Sequence, residues 1–156
     1  QHSVAVLDGK LYAVGSFNRV SSAERYSPES NQWESIASMT MARHDFGLAT
    51  LGGKLYAVGG EYYGRGWTGT SSVECYSPET NLWERVASLG RPTRGPGVAV
   101  LEGKLYALGG YGYLPSGHGY ATYYTTPMRY DPDTNQWENL QQPMSIQRAY
   151  LGAAVL

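Results

Sequence analysis

One nine-residue phrase occurs three times in the chain. It joins a glycine-ending turn to an alternating apolar run, as "DGKLYAVGS" (8–16), "GGKLYAVGG" (52–60) and "EGKLYALGG" (102–110). A second phrase, Tyr-x-Pro-(Glu/Asp)-x-Asn-x-Trp, also occurs three times, at 26–33, 76–83 and 130–137. Its tryptophans lie 50 and 54 residues apart. Self-similarity at such a period indicates a repeat architecture, in which each repeat is one supersecondary unit.

Each repeat predicts four short β-strands. In the middle repeat, runs rich in Val, Leu, Tyr and Trp cover 46–51, 54–59, 72–77 and 82–87. Runs of this composition between Gly, Pro and Asn clusters are typical of strands. The dipeptides Asp8-Gly9, Gly52-Gly53 and Glu102-Gly103 predict tight hairpins. Because no segment sustains a 3.6-residue apolar period, the predicted fold class is all-β.

A third marker, Met-x3-Arg-x3-Gly, lies between repeats. It occurs as Met39–Arg43–Gly47 and Met144–Arg148–Gly152, whereas the middle copy has Leu89, then Thr93 followed by Arg94. Together the three markers resemble the Kelch repeat over essentially the whole chain. The resemblance implies a Kelch-type β-propeller built from four-stranded antiparallel blades. The first copy departs from the family at Gly15-Ser16, where Gly-Gly is usual.

The repeat boundaries predict three blades, approximately 2–37, 46–87 and 97–140, in a single Kelch-repeat region spanning 1–156. An extra first strand is expected at 151–156. Three blades plus one strand make a partial ring, and three blades alone would expose two sheet edges. Two completions are open: further blades of a larger ring, or a second copy of the chain.

The connections between strands divide into a constant set and a variable set. In an up-and-down blade, the 1–2 and 3–4 turns lie at one end, and the 2–3 loop and the 4–1 connection lie at the other. The first set repeats almost unchanged, which indicates a scaffold. The 2–3 loops of the second and third repeats carry the extra residues 61–72 and 111–127. Loops that vary on a constant scaffold are where binding usually resides.

The variable end is rich in arginine and aromatic residues, which are enriched at binding hot spots. Arginine also binds carboxylates bidentately, so this end suits an acidic partner. Packing of the loops on themselves and scattered solvated arginines are the simpler alternatives. The predicted partner-binding residues are Arg19, Arg43, Tyr62, Tyr63, Arg65, Trp67, Arg94, Tyr111, Tyr113, His118, Tyr120 and Arg148.

The resemblance gives Arg43 and Arg148 a further expectation. In Kelch domains of ubiquitin-ligase adaptors, the arginine of Met-x3-Arg-x3-Gly can line a pocket for an acidic substrate peptide. That role is expected at both positions but does not transfer cleanly to Thr93. A scaffold role, in which these arginines bond carbonyl groups between blades, is equally open.

Composition argues against several other functions. The formal net charge is −1, which disfavours nucleic-acid and membrane partners. The one cysteine, Cys75, excludes an internal disulfide and favours a cytoplasmic location. The three histidines are too scattered in sequence to predict a metal site. We therefore expect no enzyme activity, no cofactor and no metal.

The favoured function is a non-catalytic protein- or peptide-binding module that uses the 2–3 and 4–1 loops. The resemblance implies a substrate-recognition domain of a ubiquitin-ligase adaptor or an actin-binding Kelch domain. The alternative is a carbohydrate-binding or sugar-processing propeller of the kind found in microbial Kelch proteins.

Overall fold

The computed structural model describes residues 2–16, 20–64, 66–113 and 121–151. Every regular element within these ranges is a β-strand. No helix of sufficient length and hydrophobicity to cross a membrane occurs among them. The all-β prediction is confirmed.

The strands form three four-stranded antiparallel sheets, each built from one repeat. The first sheet, blade 1, contains β1 (Ser3–Leu7), β2 (Lys10–Ser16), β3 (Val20–Ser27) and β4 (Gln32–Ile36). Blade 2 contains β5 (Gly47–Leu51), β6 (Lys54–Val58), β9 (Val73–Ser77) and β10 (Leu82–Val86). Blade 3 contains β11 (Gly97–Leu101), β12 (Lys104–Leu108), β15 (Met128–Asp131) and β16 (Gln136–Asn139).

The long 2–3 connections form two further hairpins. In blade 2, β7 (Glu61–Gly64) pairs with β8 (Gly66–Gly69). In blade 3, β13 (Tyr111–Tyr113) pairs with β14 (Ala121–Tyr123). The sequence predicted these segments as loops, and both instead contain two-stranded sheets. The predicted extra strand at 151–156 lies outside the described residues, apart from Leu151.

The hairpin turns have the backbone conformation that their residues favour. Both central residues of the first turn have positive φ, 49° at Asp8 and 72° at Gly9. The second and third 1–2 turns repeat this pattern, with glycine second in each. Two positive φ values in succession define the type I′ turn, whose twist matches that of the flanking strands. The asparagines of the 3–4 turns, Asn31, Asn81 and Asn135, also have positive φ.

The hydrophobic core consists of two layers, each lying between successive blades. The layer between blades 1 and 2 contains Tyr12 and Tyr76, whose rings lie 6.1 Å apart. The layer between blades 2 and 3 contains Tyr56 and Tyr130 at the equivalent positions, 5.8 Å apart. A single blade therefore cannot bury its own faces and relies on its neighbours, as in other repeat proteins.

The second repeated phrase supplies hydrogen bonds that join the blades. Trp83 Nε1 donates to the carbonyl of Ala37 at 2.9 Å, and the Ala37 amide donates to Asn81 Oδ1 at 2.9 Å. Ala87 makes the same two bonds with Trp137 and Asn135 of blade 3. The Asn and Trp of the second and third repeats thus hold the end of the preceding blade's fourth strand.

Candidate functional site

The variable connections meet at one end of the blades, which we call the loop face. It comprises hairpins β7–β8 and β13–β14 and the 4–1 connections that lead out of each blade. His44 exchanges two backbone hydrogen bonds with Glu61, at 3.0 and 2.8 Å. Arg94 exchanges two with Tyr111, at 2.8 and 3.0 Å. The connections between blades 1 and 2 and between blades 2 and 3 are therefore fixed against the hairpin of the blade that follows.

The paired glycines of the first repeated phrase permit this close approach. Gly60 has φ 98°, and a Cβ there would lie 2.7 Å from the carbonyl oxygen of His44. At Gly110 a Cβ would lie 2.7 Å from the carbonyl oxygen of Arg94. Both the positive φ and the lack of space require glycine. Hence the phrase that specifies the blade also places Glu61 and Tyr111, the residues that follow each pair.

A buried charge cluster lies at the base of the loop face. Arg94 Nη2 lies 2.9 Å from Glu61 Oε1, and His44 Nε2 lies 3.4 Å from Glu61 Oε2. The three side chains are 6 to 10% exposed. The Arg94 guanidinium also lies 4.7 Å from the ring centre of Tyr113, within cation–π distance. The positive charge of Arg94 is therefore matched by a carboxylate of this chain.

Possible metal ligands occur in the same cluster. Ligand atoms of His44, Asp45 and Glu61 lie within 4.8 Å of one another. However, the Arg94 guanidinium already contributes a cation to the Glu61 carboxylate. A divalent ion would have to share that carboxylate with it, so the cluster is better explained as an ion-pair network.

Tyrosines form the exposed part of the loop face. The ring of Tyr111 lies 6.3 Å from Tyr113, 5.4 Å from Tyr123 and 5.9 Å from Tyr150. The hydroxyls of Tyr111 and Tyr150 are 2.8 Å apart. Tyr113, Tyr123 and Tyr150 are 51%, 45% and 55% exposed. We call these four residues the tyrosine cluster; it presents ring faces and hydroxyls to the outside.

A second aromatic contact supports the β13–β14 hairpin. Arg91 stacks 4.1 Å from the ring centre of Tyr124 and donates to the carbonyl of Thr126 at 2.7 Å. The Tyr124 hydroxyl donates to the carbonyl of Pro92 at 3.1 Å. Burial lowers the pKa of Arg91 and raises that of Tyr124. These bonds tie the end of the hairpin to the connection between blades 2 and 3.

A cavity of about 320 Å³ opens beside the tyrosine cluster, where the 4–1 connections meet. Ser3, Asp45, Phe46, Pro96 and Tyr150 contribute to its wall. Backbone hydrogen bonds join the three connections around the cavity. The Gly95 amide donates to the carbonyl of Asp45, and the Tyr150 amide donates to the carbonyl of Gly95, both at 2.8 Å. A cavity of this volume has room for an amino-acid side chain.

Arg43 does not lie on the exposed surface. Its side chain is 1% exposed and donates to the carbonyls of Gly59 and Ser72, at 3.0 and 2.9 Å. It also pairs with Glu74 at 2.6 Å. The prediction that Arg43 contacts a partner does not fit this burial, and the scaffold role that the sequence left open describes its contacts. The reason is that its long side chain reaches into the next blade.

The other predicted residues fall into four groups. Arg94, Tyr111 and Tyr113 come together in the loop face, and Tyr62 is half-buried on β7 beside Glu61. Arg148 is exposed in the connection that follows β16. The backbones of Tyr63 and Trp67 form part of the β7–β8 hairpin. Four predicted residues lie outside the described ranges: Arg19, Arg65, His118 and Tyr120.

Sequence reasoning missed Tyr150 as a site residue. Asp45 and Gly95 occupy its position in the other two connections, so no repeated aromatic marks it. The signal that could have found it is its place two residues after the motif arginine. At this position all three residues have positive φ, 54° at Asp45, 56° at Gly95 and 56° at Tyr150.

Comparison with known proteins agrees with this geometry. The family model described as Kelch motif matches residues 1–40, 42–90 and 92–144. The chain belongs to the Kelch family. The fold is similar to that of the solved structure of YjhT, with a TM-score of 0.81, 18% identity, and coverage of 95% of this chain and 53% of that one.

Curated relatives are Kelch-like proteins that match part of this Kelch chain. Human Kelch-like protein 11 is 40% identical over 62 residues, which are 38% of this chain and 9% of the relative. Human Kelch-like protein 35 is 40% identical over 67 residues, 41% of this chain and 12% of the relative. Zebrafish (Danio rerio) Kelch-like protein 26 is 43% identical over 63 residues, which are 38% of this chain and 10% of the relative. The matched segments thus span about a tenth of these relatives.

Proposed function

We propose that the loop face of this Kelch chain binds a peptide segment of a protein partner, with the tyrosine cluster as its main contact surface. The observation that supports the proposal is the convergence of Tyr111, Tyr113, Tyr123 and Tyr150 beside an open cavity. Tyrosine offers a large contact area at low entropic cost and a hydroxyl for hydrogen bonding. Clustered exposed tyrosines on a fixed scaffold are therefore suited to protein recognition.

The partner segment that we propose is acidic. Tyrosine hydroxyls can donate to carboxylates, and Arg94 lies directly under the cluster. Arg19 and Arg65 belong to the same set of variable loops in the sequence. Arg43 is left out, because its side chain lies inside the junction between blades 1 and 2 and not beneath the tyrosine cluster. The preference for acidic peptides consequently depends on the loop arginines and the hydroxyls together.

The proposed module is non-catalytic and acts as the recognition domain of an adaptor. The curated relatives reported are Kelch-like proteins, which favours protein binding over the carbohydrate alternative. Because the matched segments cover so little of each relative, the adaptor setting itself is part of the proposal. Either a ubiquitin-ligase substrate or actin would present a segment that the same face could read.

A peptide-library screen tests the proposal. Hits rich in Asp and Glu should weaken as salt increases, because screening acts on exposed charges. Tyr113→Ala and Tyr123→Ala should each weaken the best hit by about tenfold, the effect of losing about 1.4 kcal/mol. Leu101→Ala is the control, since Leu101 is as exposed, at 55%, but lies at the opposite end of blade 3. Absence of peptide hits, or hits indifferent to both tyrosines, would refute the proposal.

A further inference from the structure

One backbone position has the same unusual conformation in all three connections of the loop face. It lies two residues after the arginine position of the third motif and is filled by Asp45, Gly95 and Tyr150, with φ of 54°, 56° and 56°. Glycine adopts this conformation most readily, and a bulky residue rarely does. Two connections nevertheless carry a side chain there, and both side chains line the cavity of about 320 Å³. Backbone strain of this kind is concentrated at ligand sites.

Asp45 contributes a mostly buried carboxylate to the cavity wall. Its side chain is 12% exposed, and its Oδ2 lies 3.9 Å from His44 Nε2, which is beyond hydrogen-bond distance. Its Oδ1 is buried and accepts no hydrogen bond from any residue that the structure describes. A buried carboxylate oxygen normally has a donor, because the loss of its water is otherwise not compensated. Asp45 can therefore accept hydrogen bonds from a group that enters the cavity.

The charges around the cavity are unequal. Glu61 has Arg94 as its counterion, at 2.9 Å. Asp45, in contrast, forms no ion pair with a lysine or arginine within the described part of the chain. Burial and the hydrogen bond to Tyr111 raise the pKa of Tyr150, and the negative charge of Asp45 raises it further. The carboxylate of Asp45 thus acts on the cavity wall, and a cation inside the cavity would be attracted.

The rest of the wall suits an aliphatic chain. Phe46 and Pro96 are apolar members of the wall. The Ser3 hydroxyl donates to the carbonyl of Phe46 at 2.9 Å, so its hydrogen is already used. The ring of Tyr150 offers a surface on which a cation can rest. An aliphatic chain that ends in a cationic donor is the side chain of lysine or arginine.

We propose that the cavity binds one lysine or arginine side chain of the partner peptide, with Asp45 as its counterion and Tyr150 as its aromatic wall. The proposal rests on the peptide-binding function given above and adds one basic residue to the acidic segment. The acidic residues meet the tyrosine hydroxyls and the loop arginines, and the basic residue enters the cavity. Asp45 excludes an apolar side chain, because that chain would cover the carboxylate without giving it a hydrogen bond.

Three small probes test the cavity without a known peptide. N-acetyl-lysine amide and N-acetyl-arginine amide carry the proposed cation, whereas N-acetyl-norleucine amide has the four-carbon chain of lysine without the charge. Each probe is titrated into the 156-residue chain and followed by proton–nitrogen NMR. The two cationic probes should shift the amide signals of Asp45, Gly95 and Tyr150. At least one should bind about tenfold more tightly than the norleucine probe, the effect of one charge-assisted hydrogen bond.

A matched pair of variants assigns the effect to one carboxylate. Asp45→Asn removes the charge but keeps a side chain that tolerates positive φ. It should weaken the binding of the cationic probes about tenfold and should leave the norleucine probe unchanged. Asp8→Asn is the control, because Asp8 also has positive φ, 49°, but is exposed in a 1–2 turn at the opposite end of blade 1. It should change none of the three affinities. The NMR spectra show that each variant is folded.

Absence of binding by both cationic probes overturns the proposal, as does equal affinity for all three probes. Cationic probes that bind Asp45→Asn as tightly as the wild-type chain overturn it too. The peptide-library screen separates this outcome from the proposed function. Peptide hits that lack lysine and arginine and ignore Asp45→Asn would support recognition by the loop face and contradict the cavity assignment. Probe binding that depends on Asp45, with no peptide hits, would support the cation site and refute the recognition function.

Discussion

Arg43 and Glu74 form a fully buried ion pair that joins the first blade to the second, with a nitrogen–oxygen distance of 2.6 Å. Burial lowers the pKa of Arg43, an effect that the Glu74 carboxylate opposes. The pair is locked by the carbonyls of Gly59 and Ser72 and by the Thr40 amide. Its stabilising effect depends on these additional hydrogen bonds, since an ion pair removed from water gains little by itself.

The first prediction concerns this pair. Arg43→Thr or Glu74→Met alone should lower the free energy of unfolding by about 3–5 kcal/mol, because each leaves a buried charge without its counterion. At the junction between blades 2 and 3, Thr93 and Met128 stand at the positions of Arg43 and Glu74. The double variant copies that junction and should lose clearly less stability than the sum of the two single losses. Urea unfolding of the four proteins completes a double-mutant cycle. Additive losses would show that the two residues are not coupled.

The second prediction isolates the hydrogen bond between Asn81 and the Ala37 amide. Asn81→Ala should be more destabilising than Asn31→Ala by about 0.5–1.5 kcal/mol, since it also removes the hydrogen bond from the Ala37 amide of the preceding blade. Asn31 is a matched control: its φ is 53° against 52° for Asn81, and its side chain likewise accepts from a tyrosine hydroxyl. Thermal or urea unfolding gives the difference.

Equal losses at the two positions would assign the effect to the turn itself. The bond to the preceding blade would then contribute nothing measurable.

The third prediction concerns alkaline pH. Burial raises the pKa of Tyr56 above its ordinary value of 10.0 and that of Cys75 above 9.0. The unfolded chain therefore loses these protons first, and the stabilisation present below the ordinary values is lost as pH rises through and above them. The free energy of unfolding should fall above about pH 9. Tyr56→Phe should flatten this fall, which urea unfolding at a series of pH values measures.

The same burial predicts slow chemistry at Cys75. The thiol is 8% exposed, so alkylation of the folded chain should be much slower than that of the urea-unfolded chain. Its pH profile should also be displaced to higher pH, because less thiolate is present at a given pH. Equal rates for the folded and unfolded chains would show that Cys75 is accessible.

The blades themselves could be predicted from the sequence because their signals are local. Asp8-Gly9 and its counterparts require a particular turn, and alternating runs define the strands between the turns. The Gly-Gly pairs and the Asn-x-Trp endings repeat at fixed positions, so even their structural role could be inferred without knowing which atoms they contact.

The contacts of Arg43 could not be read in the same way. Its carboxylate partner, Glu74, lies 31 residues away on the third strand of another blade. Only alignment of the three repeats reveals that Arg43 and Glu74 change together to Thr93 and Met128. The tyrosine cluster could be predicted only in part for a related reason. Tyr150 lies in the connection after blade 3 and meets Tyr111 through packing, and no repeated aromatic residue marks its position.

The last prediction concerns Glu61, the acidic member of the loop face that pairs with Arg94 at 2.9 Å. Glu61→Gln keeps the shape of the side chain but removes its charge, so less negative charge opposes the Arg94 cation beneath the tyrosine cluster. If an acidic peptide binds there, its affinity should increase by about two- to tenfold and should depend more steeply on salt. Glu84→Gln, on the exposed surface of β10, is the control for overall charge. Fluorescence polarisation at low and high salt measures both effects. Equal changes in the two variants would mean that Arg94 does not contribute to binding. The preference for acidic peptides would then be assigned to the tyrosine hydroxyls and the other loop arginines.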